Sequence, residues 1–111
     1  MTLWAFETNL MWSSKLRQSL RLLGHECLVL KAVPEEGTAD AAIVNLGEPG
    51  ASELLAALGA RGVPTIAHAG HKEKDLHDLG RAAGATILAT NSEMANKLPA
   101  LLEKVRTFGD S

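Results

Sequence analysis

The sequence predicts an open, doubly wound α/β domain built on a five-stranded parallel sheet, and three observations point that way. Five short apolar runs alternate with amphipathic segments. Runs such as "AAIV" and "ATILA" are apolar without alternation, as strands covered on both faces are. The connections are short and rich in glycine, which suits strand–helix repeats.

The elements follow in order. The first strand is predicted over residues 2–6, and a helix follows in "SSKLRQSLRLLG". There Leu16, Leu20 and Leu23 share helical spacing, with a serine cap before them and Gly24 after. The second strand is placed at residues 27–31 and the third at 41–46. Only "VPEEGTAD" lies between them. A helical crossover takes a dozen or more residues. Eight extended residues span about 27 Å, and the return needs roughly 20 Å, so this connection is expected to cross without a helix. Next come "ASELLAALGARG", with Leu54, Leu55 and Leu58 as the apolar stripe, and a strand at residues 65–68. "KDLHDLGRAAG" offers Leu76, Leu79 and Ala83, and the last strand is placed at residues 86–89. A final helix falls within "NSEMANKLPALLEKVR". Pro99 either kinks it or sits in the first turn of a helix that begins near Leu98. About four helices are expected.

The 111 residues form one domain over 1–111, with 46% apolar and 22% charged residues. A formal charge of −2, with Lys and Arg spread along the chain, makes no footprint for nucleic acid or an anionic membrane. Cys27 is the single cysteine, which excludes a disulfide framework and a thiolate cluster. No signal peptide or run of ~18 apolar residues is present, so a cytoplasmic location is expected. Met1 and the polar tail favour a complete chain.

In open α/β sheets function collects at the carboxyl ends of the strands. Those ends present Glu7 and Thr8, Asn45, then His68, Ala69 and Gly70, then Thr90 and Asn91. One carboxylate, two amides and a histidine are a poor catalytic set, so no enzyme is expected.

Several stretches carry a family likeness: "RAAGATILATNSE", "GVPTIAHAG", the spacing from Glu7 to Gly24, and Pro49 four residues after Asn45. Together they resemble the receiver domain of response regulators, the flavodoxin-like domain of the chemotaxis regulator. The resemblance covers nearly the whole chain apart from a second helix. It implies a five-stranded parallel sheet of order 2-1-3-4-5 and a role in bacterial two-component signalling. It also implies a phosphorylation pocket, and here that pocket is degenerate. The family's metal-holding acidic pair corresponds to Glu7 and Thr8, its phosphoacceptor aspartate to Asn45, its switch hydroxyl to Ala69 and its lysine to Asn91. The aromatic switch position corresponds to Leu88. Mg²⁺ seeks an octahedron of oxygens with one or two carboxylates, and Glu7 alone is a weak offer. Asn45 has no carboxylate to form an acyl phosphate. No metal or cofactor is expected.

The expected function is therefore a phosphorylation-independent receiver-like module that binds another protein. The resemblance implies one interaction face, formed by the family's fourth helix, fifth strand and fifth helix, with Leu88, Lys97, Leu101 and Lys104. The missing helix suggests a second, near Val29 and Val33, for a homodimer or another protein partner. The rival is a small-ligand or cofactor binder in the strand-end crevice. For that, Thr8, Ser13 and Ser14 are poorly spaced for a flavin phosphate, and the Asp-x-His-x-x-Gly loop of cobalamin domains is missing. His68, His71, His77 and Glu7 lack the shared face a zinc site requires. "EPGASELL" lacks the GxxxxGK[ST] spacing of a phosphate loop. Trp4 is expected in the core, and Trp12 half-exposed near the pocket.

Overall fold

The computed structural model describes residues 1–109 of the chain; the polar tail at residues 110 and 111 lies outside them. The elements are β1 (Thr2–Phe6), α1 (Leu10–Leu22), β2 (Glu26–Val29), β3 (Ala41–Asn45), α2 (Ala51–Ala60), β4 (Thr65–Ala69), α3 (Lys74–Ala82), β5 (Ile87–Thr90), α4 (Asn91–Asn96) and α5 (Leu98–Gly109). All strand pairs are parallel, in the order β2-β1-β3-β4-β5. This is the flavodoxin-like order that the resemblance implies. Strand positions hold to within two residues of expectation. No helix of the described residues is long and apolar enough to cross a membrane.

The sheet separates two apolar layers because successive side chains point to opposite faces. Leu3, Ala5, Ile43 and Ile66 face one layer with Leu16 and Leu20 of α1 and Leu101, Leu102 and Val105 of α5. Trp4, Phe6, Val44 and Ala67 face the other, under Leu55 and Leu58 of α2 and Leu76 of α3. Leu101 is therefore core, 4% exposed. Its expected place on a partner surface is wrong, because the stripe that docks α5 passes through it. Leu88 is half-buried, pressed against the second layer where α3 narrows at Gly80; a Cβ there would lie 2.9 Å from Leu88 Cδ2. Lys97 and Lys104 are exposed.

Helix boundaries differ in two places. The cap of α1 is Asn9, whose side chain accepts from Trp12 N at 3.0 Å, so the helix begins ahead of the serines. At its other end Gly24 turns the chain with φ 88°, and His25 N returns to Leu20 O at 2.9 Å. The C-terminal segment divides at Lys97, which gives five helices among the described residues. Thr90 and Glu93 form a reciprocal capping box that starts α4 immediately after β5. Pro99 then falls in the first turn of α5, where its missing N–H costs nothing.

Residues 30–40 form no helix. They cross the second layer as a loop that covers Trp4, which is 3% exposed, with Val33 and buried Ala39 packed beside it. Arg61 at the end of α2 pins this loop. Its guanidinium donates to Pro34 O at 2.6 Å and to Gly37 O, and it lies over the Trp4 ring at 6.0 Å. The expectation of a bare sheet face near Val33 is thus corrected, since the loop fills it. Val29 is exposed, as expected, but it pairs with Ala5 and so lies on the α1 side; Leu28 pairs with Trp4 and takes the other side, 51% exposed.

Arg61→Ala removes two hydrogen bonds and the ring contact, a loss of about 1 kcal/mol or ~5 °C in melting temperature. A glutamate-specific protease should then cleave faster at Glu35 and Glu36. Unchanged cleavage would mean that the loop holds itself.

Candidate functional site

The carboxyl ends of β1, β3 and β4 bring Glu7, Asn45 and His68 to the α1 side of the sheet. Asn45 is the register partner of His68 and lies next to β1. Asn45 Nδ2 donates to Glu7 Oε2 at 2.7 Å, and Gly47 N donates to Asn45 Oδ1 at 2.9 Å. The backbone donor fixes which way the amide points. Asn9 N donates to the other Glu7 oxygen at 3.1 Å, and Glu7 is buried. Both carboxylate oxygens are therefore engaged by donors of the chain itself.

Thr8 does not join this group. Its N–H and hydroxyl both donate to Glu48 Oε1, at 2.5 and 2.6 Å. Those bonds, the hydroxyl's first, hold the Glu48 carboxyl below its ordinary pKa against a slight burial effect. Ala69 turns to the opposite layer, where it packs in the core. Asn91, the first residue of α4, is brought in only through His68, whose Nδ1 lies 2.7 Å from Asn91 Oδ1.

His68 is the residue whose role the sequence understated. It is 1% exposed, and Trp12 of α1 stacks on it with ring centroids 5.0 Å apart and planes at 15°. A carbonyl oxygen at Nδ1 requires the proton there, which leaves Nε2 as the acceptor. That Nε2 is buried and has no hydrogen-bond partner among the described residues. Burial pushes the imidazole below its ordinary pKa, opposed by the Asn91 bond and the Glu7 charge, so the ring is neutral. The signal in the sequence was a histidine where the apolar run "TIAHA" should face a helix layer, with a tryptophan on the helix that covers it.

Chemically, the site is two separate hydrogen-bonded pairs, Glu7–Asn45 and His68–Asn91, set side by side at the strand ends. Among the described residues no three His, Cys, Asp or Glu side chains gather where they could share a metal ion. His71 is exposed, and His77 Nε2 lies 3.1 Å from Gly70 O. Beside the strand ends, Phe6, Leu30, Pro49 and Leu54 form the apolar wall of a cleft of about 280 Å³ that Glu7, Thr8, Lys31 and Glu48 also line.

No family model and no curated protein matches this sequence. Solved structures do match in shape. A response regulator receiver domain protein from Clostridium thermocellum superposes with a TM-score of 0.83 at 14% identity, over 98% of this chain and 96% of that one. A CheY-like receiver domain protein from Methanospirillum hungatei JF-1 gives 0.77 at 18% identity, over 94% and 92%. Full-length FixJ from B. japonicum gives 0.81 at 16% identity, over 97% of this chain and 58% of FixJ. The chain has the fold of response regulator receiver domains.

Proposed function

We propose that this chain is a receiver-like signalling module that works without phosphorylation, by binding another protein. One observation carries the reading: at the strand end where phosphoryl transfer needs open carboxylates, Asn45 is an amide that donates to Glu7. An amide has no anionic oxygen to attack a phosphoryl group. Glu7 already accepts from Asn45 Nδ2 and Asn9 N, so part of its lone-pair capacity is committed before any Mg²⁺ arrives. Ala69 faces away, and Asn91, held on His68, carries no charge for an acyl phosphate. The test is incubation with acetyl phosphate, and separately with beryllofluoride, each with Mg²⁺. Unchanged intact mass and unchanged amide spectra are expected; an adduct at any carboxylate would sink the proposal.

The apolar cleft beside Thr8 favours a second reading, a small-ligand binder. A melting shift with a small aromatic or aliphatic ligand, abolished by Leu54→Glu at the cleft wall, would select it.

A further inference from the structure

We infer that the free edge of β2, with Arg17 and Arg21 of α1 beside it, is a docking site for an extended segment of a partner protein in which acidic and apolar residues alternate. This rests on the reading of the chain as a protein-binding module, and it names the surface and the chemistry of its partner.

β2 is the edge strand, paired on one side only. Glu26 N and Leu30 N donate inward, to Met1 O and Ala5 O. Groups alternate along a strand, so Cys27 and Val29 turn their N–H and C=O outward. Such an edge is a template for one more strand, and residues 26–31 carry no proline or bulge to block it.

Charge selects what the strand would be. Helix α1 contains Lys15, Arg17 and Arg21 and no acid, on a chain of net −2. Arg17 and Arg21 lie on one wall of a depression between α1 and the β2 edge, and Cys27 and Leu28 form the other. Both arginines are exposed, and neither makes a salt bridge among the described residues. Burial raises the Cys27 thiol's pKa, and the Arg17 charge opposes this, as expected of a guanidinium facing the strand across the depression. Glu26 also lines the depression, on the strand face it shares with Leu28.

Geometry sets the period. Four residues of helix rise about 6 Å, and two residues of strand advance about 6.6 Å. Two guanidiniums four residues apart on α1 therefore match alternate residues of an added strand. Side chains on that face meet Arg17 and Arg21, and those between them fall on the opposite face beside Leu28. At Leu28 that face is open, because the loop after β2 packs over Trp4 and leaves the edge residue exposed. Carboxylates on one face and apolar groups on the other are the complementary pattern.

The experiment uses the isotopically labelled full chain and a capped peptide, Gly-Asp-Val-Asp-Val-Asp-Gly. Amide shifts centred on Cys27 and Val29, with side-chain shifts at Arg17 and Arg21, are expected. Arg17→Ala with Arg21→Ala should weaken binding by about tenfold or more at unchanged melting temperature. A peptide with Asn for each Asp should bind as weakly. No shift at β2 with millimolar peptide, or binding indifferent to the arginines, overturns the inference. So would self-association through β2 that excludes the peptide, or arginine-dependent binding of a short oligothymidylate without peptide binding. Acetyl phosphate labelling does not report on the edge strand, so the two proposals fail separately.

Discussion

Asn45→Asp lowers stability at neutral pH by about 3 kcal/mol, roughly 12 °C in melting temperature, and Mg²⁺ returns much of it. The substitution is nearly isosteric. One new oxygen keeps the bond from Gly47 N, while the other stands where Nδ2 lay 2.7 Å from Glu7 Oε2. A charge-assisted hydrogen bond thus becomes a contact between two acceptors beside a buried carboxylate. The pair relieves this by sharing a proton, which raises its apparent pKa in the fold above the ordinary values of about 4. A raised folded pKa contributes stability below the unfolded pKa and loses it as pH rises through the folded one. The deficit is therefore small near pH 4 and full near pH 7. Mg²⁺ binds two close carboxylates and water well, so about 10 mM should raise the variant's melting temperature and leave the native chain unmoved. Thermal unfolding at several pH values, with and without Mg²⁺, reads all of this. A variant as stable as the native chain at pH 7.5 would show that the Asn45–Glu7 bond contributes nothing.

The same contrast explains what was legible in the sequence. The strands were readable because a buried parallel strand leaves a continuous apolar run, and "AAIV" has no other economical use. The absent helix was readable because eight residues between strands are too few to wind and return. The α4–α5 division was half readable. Pro99 announced the start of α5, but the stretch before it was read as part of the same final helix, and the Thr90–Glu93 box that starts a separate α4 went unread. Positions of Glu7, Asn45 and Asn91 followed from strand ends, whereas their partners did not. Nothing in one dimension says that Glu48 takes Thr8 while Asn45 takes Glu7, since those contacts span 40 and 38 residues. Side-chain face was the other failure. Val29 and Leu28 differ by one step of a period-two pattern, and both are exposed, but only Leu28 lies on the side that the missing helix would have covered. Leu101 was misplaced because an apolar residue on an end helix fits a partner surface as well as the core.

Acidification should destabilise the fold through His68, and His68→Leu should remove that part of the loss. The neutral imidazole is buried between Trp12 and the sheet, with Nδ1 committed to Asn91 and Nε2 without a donor. Burial sets its folded pKa below 6.5. The unfolded chain therefore takes up a proton that the folded chain refuses, and stability is full above about pH 6.5. It falls as pH drops from there toward the folded pKa, by up to about 1.4 kcal/mol per pH unit, or ~6 °C. His25, lowered by modest burial and by the Met1 amine, acts in the same direction, so the native curve alone cannot apportion the loss. The variant does so. Leucine is close to histidine in size and has no orphan nitrogen. It gives up the Asn91 bond, but Asn91 is exposed and water can take its place. At pH 7.5 the two proteins should melt within a few degrees of each other, and at pH 5.5 the variant should be the more stable. Parallel melting curves across that range would assign the acid sensitivity elsewhere. Amide shifts of Asn91 that follow the imidazole titration would tie the buried ring to the start of α4.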